Sequence, residues 1–145
     1  ACYDASKLTQ TPTSFQLASI DGPRSGIVSA FVKISNNQEI VIESRKSGPY
    51  SKLDQQGQGV LAYLVDTSIT NQRCDSCLPS LELDKKQFAY YLRIDGGNRG
   101  GWHVPMAPDF NLNEIAYEGD SFTYGDLHIK FKKSGDQDTI ELTRG

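Results

Sequence analysis

This sequence is poor in the residues that most often carry catalysis. Its 145 residues include two histidines, three cysteines, one tryptophan and one methionine. With only His103 and His128, imidazole acid–base chemistry has little to work with. There is no Gly-x-Ser-x-Gly elbow, no phosphate-cradling glycine loop ahead of a helix and no His-Glu-x-x-His, so the usual hydrolase, nucleotide and zinc-peptidase signatures are missing. A basic excess is missing too. Fifteen Lys and Arg against eighteen Asp and Glu give a net charge of −3, which makes no electrostatic case for nucleic acid. The longest apolar run, Val60 to Val65, is strand-sized and the mean hydropathy is −0.48; no transmembrane helix is expected. No internal repeat, low-complexity tract or charge run occurs. The single methionine is at position 106 and the chain opens Ala-Cys-Tyr-Asp, so we expect a processed product or a domain excised from a larger secreted protein.

What is present is strand periodicity. Ser14–Ile20 alternates polar and apolar residues, and Asp21-Gly22-Pro23 ends it as a turn. Residues 27–34 and 39–45 flank Asn36-Asn37-Gln38 and read as a hairpin. Residues 60–66 are apolar on both faces, the pattern of a central covered strand. Leu81-Glu82-Leu83 reads as a short edge strand, and 88–94 as an aromatic-rich strand. Residues 102–120, with Pro105 and Pro108, read as irregular. Ser121–Tyr124, a Gly125-Asp126 turn and Leu127–Lys132 form a second hairpin, followed by a strand over 139–142. In it Leu127, Ile129 and Phe131 point inward and His128 outward. No window sustains a 3.6-residue apolar repeat. The expectation is one all-β domain over residues 1–145, an antiparallel β-sandwich, jelly-roll-like or Ig-like, of about eight or nine strands.

Three groups of residues could carry function. Cys74 and Cys77 bracket Asp75-Ser76, with Cys2 the odd cysteine. A structural zinc site wants a second such pair, and a thioredoxin-like site wants a helix where Leu78-Pro79 follows. A disulfide in a secreted protein fits best, and the local Cys74–Cys77 loop is preferred over a bond to Cys2 because it needs no other element in place; free cysteines in a cytosolic chain are the remaining reading. The second group is oxygen-rich: Asp109, Asn111 and Asn113, with Glu114 next. In an extended chain that alternation turns three oxygen ligands one way, as calcium takes them. The glycine and terminal glutamate spacing of an EF-hand is missing, so a solvated polar edge competes. The third group is aromatic: Tyr90, Tyr91 and Trp102, beside His103, Asp95 and Asn98 on glycine-rich loop. Such rings could stack on sugars. Tyr90 and Tyr91 face opposite ways in a strand, which assigns one of them to the core.

One stretch carries a family resemblance. Glu39-Ile-Val-Ile-Glu43-Ser-Arg45, the loop Lys46–Leu53 with its Gly48-Pro49-Tyr50, and Gly59-Val60-Leu61-Ala62-Tyr63 follow one another in order. This resembles the region after the catalytic domain in secreted metallopeptidases of the immune-inhibitor-A and gametolysin types. There a strand ending in Glu-x-Arg leads through a Gly/Tyr loop to a Gly-Val-Leu-x-Tyr strand. Glu118-Gly119-Asp120-Ser121-Phe122 through Lys130 resembles the Gly-Glu-Ser-Phe close of the same region. The resemblance is ordered and covers most of 15–142. It implies a secreted, non-catalytic β-sandwich packed behind a zinc peptidase domain, with no catalytic residue in this chain. The expected partner is then an upstream peptidase domain of the same chain. The alternative is a carbohydrate-binding or adhesion module with a protein or glycan ligand. The Cys74–Cys77 insertion and the 95–101 loop depart from the family pattern.

Overall fold

The computed structural model describes residues 1–19, 26–46, 58–67, 89–97, 99 and 112–145, together with the backbone of 102–103 and 110–111. The chain is all-β, in two mostly antiparallel sheets. Eleven strands are described: β1 (Cys2–Asp4), β2 (Thr13–Leu17), β3 (Ser29–Lys33), β4 (Gln38–Arg45), β5 (Gly59–Asp66), β6 (Ala89–Tyr91), β7 (Trp102–His103), β8 (Phe110–Asn111), β9 (Ser121–Tyr124), β10 (Leu127–Lys133) and β11 (Asp138–Arg144). One sheet has the order β1-β3-β4-β5-β6 and the other β2-β11-β10-β9, with β7-β8 a separate two-stranded ribbon.

Alternation decides which side of each strand is buried. In β10, Leu127, Ile129 and Phe131 are buried, as the sequence predicts, and in β11 Ile140 and Leu142 join them. The five-stranded sheet contributes Val32, Ile40, Ile42, Val60, Ala62 and Leu64 to the same core. The β9–β10 turn is two residues long, since Tyr124 pairs with Leu127. Gly125 occupies its first central position at φ +62°, the left-handed geometry that this tight hairpin needs and that glycine adopts without strain.

Two chain segments pass from one sheet to the other and close the sandwich at its edges. After β2, the Ala18 N–H donates to the Ile27 carbonyl at 2.7 Å and Ser19 bridges Ser44 of β4 in parallel. After β6, the Leu92 N–H still donates to Ala62 of β5, but Ile94 bridges Phe122 of β9. The aromatic-rich run expected as a single strand over 88–94 is therefore divided between two sheets. On the opposite flank, the Tyr3 ring of β1 stacks on Phe15 of β2 at 5.2 Å.

Two sequence expectations need correction, and one strand pair departs from the otherwise antiparallel pattern. The sandwich is not wholly antiparallel: β1 runs parallel to β3, Cys2 opposite Phe31. The chain visits the other sheet as β2 between them, so it returns beside β1 in the same direction. Next, β5 is not covered on both faces along its whole length. Its outer face is buried at Leu61, beneath Ile115, Leu112 and Tyr117, while Tyr63 and Val65 beyond it are half-buried. Last, the 102–120 stretch read as irregular holds β7, β8 and a 3-10 turn over Leu112–Glu114. The edge strand expected at 81–83 lies outside the described residues.

The residues that cover Leu61 reach it because β5 begins with a glycine. Val60 and Ala116 exchange hydrogen bonds at 2.9 and 2.8 Å. A side chain on Gly59 would lie 2.4 Å from the Ala116 carbonyl oxygen and 2.8 Å from Ile115 Cγ1. The first of these contacts is with backbone, which cannot swing away. Gly59→Ala is therefore expected to destabilise the domain by about 1–3 kcal/mol, read as a lower urea midpoint; an unchanged midpoint would show that the 115–117 segment is not held there.

Candidate functional site

The outer face of the five-stranded sheet carries a row built by register alone. Cys2 is opposite Phe31, Phe31 opposite Val41, Val41 opposite Tyr63, and Tyr63 opposite Tyr91. Directly opposed residues share a face, so the row crosses all five strands. Phe31 is 37% and Tyr91 38% exposed, while Val41 between the rings is buried. The Tyr63 and Tyr91 rings meet edge to face, 5.8 Å between centroids and 77° between planes, an arrangement that aromatic quadrupoles favour. Tyr63 donates its hydroxyl to Glu43 Oε1 at 2.8 Å. Burial first, and then this carboxylate, push the Tyr63 phenol well above its ordinary value. Partial burial likewise raises Tyr91, with Glu43 and Glu114 adding to it and Arg45 opposing.

The sequence-derived candidates divide around this face. Tyr91 belongs to it and has Glu114 close by. Tyr90 points the other way and packs against the core, its phenol raised by that burial; the expected division of the two tyrosines holds. Asp95 lies at the edge of the other sheet, where its Oδ2 accepts from Ser121 Oγ at 2.7 Å and Thr123 Oγ1 at 2.8 Å. It fastens the crossover segment onto β9. Trp102 is opposite Asn111, and His103 opposite Phe110, in the β7–β8 ribbon. Asn98, Asp109, Cys74 and Cys77 lie outside the described residues.

Of the expected oxygen-ligand set Asp109, Asn111, Asn113 and Glu114, the described residues show the side chains of Asn113 and Glu114 only. The chain turns as a 3-10 helix over Leu112–Glu114. Asn113 is buried, and its Oδ1 accepts the Arg99 backbone N–H at 2.8 Å. Among the described residues no group of three or more His, Cys, Asp or Glu is placed to hold a metal ion.

A second feature was missed in the sequence. A cleft of about 800 Å3 opens beside the start of β5, lined by Lys46, Gly59, Arg99, Tyr117, Glu118 and Asp138 among others. Arg99 lies 4.2 Å over the Tyr117 ring, donates from Nη1 to the Ile115 carbonyl at 2.8 Å and pairs through Nη2 with Asp120. Asp120 also accepts the Tyr117 N–H at 2.8 Å. On the opposite wall, Lys46 Nζ pairs with Asp138 Oδ1 at 2.9 Å. Each of these two cations is paired with a carboxylate, and Glu118 adds a further carboxylate to the lining. Neither Arg99 in its glycine-rich loop nor Asp138 in a terminal turn stands out by spacing.

No known protein family, curated protein or solved structure matches the chain.

The tyrosine environment sets a pH dependence. Folding raises the Tyr63 phenol above its ordinary value of 10.0, so above that pH the unfolded chain releases a proton that the folded chain keeps. Stability is then full below pH 10 and falls as pH rises past it. Tyr3, Tyr90 and Tyr91, raised by burial, act in the same direction. Between about pH 9 and about pH 11, the urea midpoint of Tyr63→Phe is expected to fall less than that of the parent chain. Equal falls would mean that Tyr63 does not titrate in this way.

Proposed function

We propose that this chain is a non-catalytic accessory domain of a secreted zinc metallopeptidase, and that it works by docking through the outer face of its five-stranded sheet. The observation that carries this reading is the cross-strand row Phe31–Val41–Tyr63–Tyr91, with an exposed ring toward each end. Contiguous apolar surface on a sheet face is a mark of an interaction site, and a large aromatic side chain there supplies contact area at low entropic cost. The stretches that resemble the metallopeptidase region also meet on this face. Glu43 comes from the Glu-x-Arg strand and Tyr63 from the Gly-Val-Leu-x-Tyr strand, and one hydrogen bond joins them. The rim charges Glu39, Glu43 and Arg45 on β4 would set orientation more than affinity. In this role the domain would hold the peptidase in its active conformation or help present substrate.

The reading is tested on the parent gene and its product. It expects a His-Glu-x-x-His helix encoded upstream of Ala1, with a third zinc ligand after it. It also expects Phe31→Ser with Tyr91→Ser, in the full-length protein, to shorten the active lifetime of the peptidase several-fold while the circular dichroism of this domain alone stays unchanged. An upstream region without a zinc motif, or an unaffected lifetime, would overturn it. The exposed Tyr91 ring would equally serve a carbohydrate-binding module; glycan retention that Tyr91→Ala abolishes would put that reading in its place.

A further inference from the structure

Asp138 is a charged residue placed where a core residue belongs. It opens β11 on the same face as Ile140 and Leu142 and is 0% exposed. Ser44, also 0% exposed, occupies the corresponding inward position of β4 in the other sheet. The Ser44 hydroxyl donates to Asp138 Oδ2 at 2.6 Å. Lys46, the residue after β4, brings its Nζ to 2.9 Å from Asp138 Oδ1 and donates also to the Gly135 carbonyl. The ammonium group is thus fixed from two sides against one carboxylate, with that carboxylate's other oxygen held by a hydroxyl.

We propose that Lys46 and Asp138 form an amide cross-link between the two sheets. The condensation needs no oxidant, reductant or co-reactant. One proton passes from the Lys46 ammonium to Asp138 Oδ1. The freed amine lone pair attacks Asp138 Cγ, and the carbonyl electron pair moves onto Oδ2. The Ser44 hydroxyl stabilises that oxyanion, as a preorganised donor does at a tetrahedral centre. A second proton passes from nitrogen to Oδ1, the Cγ–Oδ1 bond breaks, and one water leaves. An ammonium and a carboxylate become a secondary amide and water, so atoms and charge balance.

Two physical arguments favour the product. Nucleophile and electrophile are held together by the fold, and such fixed geometry replaces the entropy of a bimolecular encounter. Keeping a carboxylate charged where it is 0% exposed is costly even when it is paired, whereas an amide is neutral and retains the link across the sandwich. Lys46 and Asp138 both line the cleft, which gives the released water an exit. This inference does not depend on the accessory-domain reading.

The experiment is an intact mass of the folded chain, purified, incubated warm at neutral pH and reduced before measurement so that cysteine oxidation does not contribute. The expected mass is one water below that of the sequence, and a tryptic digest is expected to contain one branched peptide holding both Lys46 and Asp138. Lys46→Arg keeps the cation but lacks the amine and is expected at its full sequence mass. A parent chain at full sequence mass would overturn the proposal, as would a one-water loss that persists in Lys46→Arg or that maps elsewhere in the digest.

Discussion

A single buried carboxylate joins the two halves of this fold. At one end of the sandwich the inward positions of β4 and β11 are Ser44 and Asp138, where a Val, Ile or Leu would ordinarily sit. The hydrogen bond between them spans the gap between the sheets, and Lys46 supplies the countercharge. A buried charge that loses its partner is far more costly than one that keeps it. The two sheets are therefore bound to a particular relative placement at this end, whereas apolar packing alone tolerates small slides. The Ser19–Ser44 bridge falls at the same place, so the crossing after β2 depends on the same few residues.

The cleft that Lys46 and Asp138 line is also shaped by Arg99. Its backbone is held by Asn113, its guanidinium by Ile115 and Asp120, and its planar face by Tyr117. Arginine suits this role because its flat, branched cation can stack and hydrogen-bond at once. The segment gathered in this way lays Ile115 over Leu61 and pairs Ala116 with Val60. Farther along the sheet the outer face keeps the Phe31 and Tyr91 rings exposed, with Tyr63 half-buried.

Local alternation made much of the fold legible. The β3–β4 hairpin, the β9–β10 hairpin and the inward set Leu127, Ile129 and Phe131 follow from period-two patterning and turn residues, which act within a few positions of each other. Long-range pairing was not legible. Nothing in Cys2-Tyr3-Asp4 announces a parallel partner near residue 31, and the switch from Leu92, bonded to β5, to Ile94, bridged to β9, has no signature in composition. The candidate site divided in the same way. The opposed directions of Tyr90 and Tyr91 follow from strand geometry. The row that Tyr91 completes needs the register of four strand pairs, and the inward place of Asn113 depends on an arginine fourteen residues earlier. Asp138 resisted reading because a charged residue beside a Gly-Asp turn looks like solvated surface until its strand partner is known.

Ser44 and Asp138 act as one unit across the sheets. A double-mutant cycle on Ser44→Ala and Asp138→Ala tests this most directly, using urea unfolding in a Lys46→Arg background where the ion pair stays non-covalent. Non-additivity is expected, with a coupling of about 0.5–3 kcal/mol, the range for residues in one buried network. Free energies that add to within about 0.5 kcal/mol would contradict it, since residues that do not depend on each other cannot be what holds the two sheets in register.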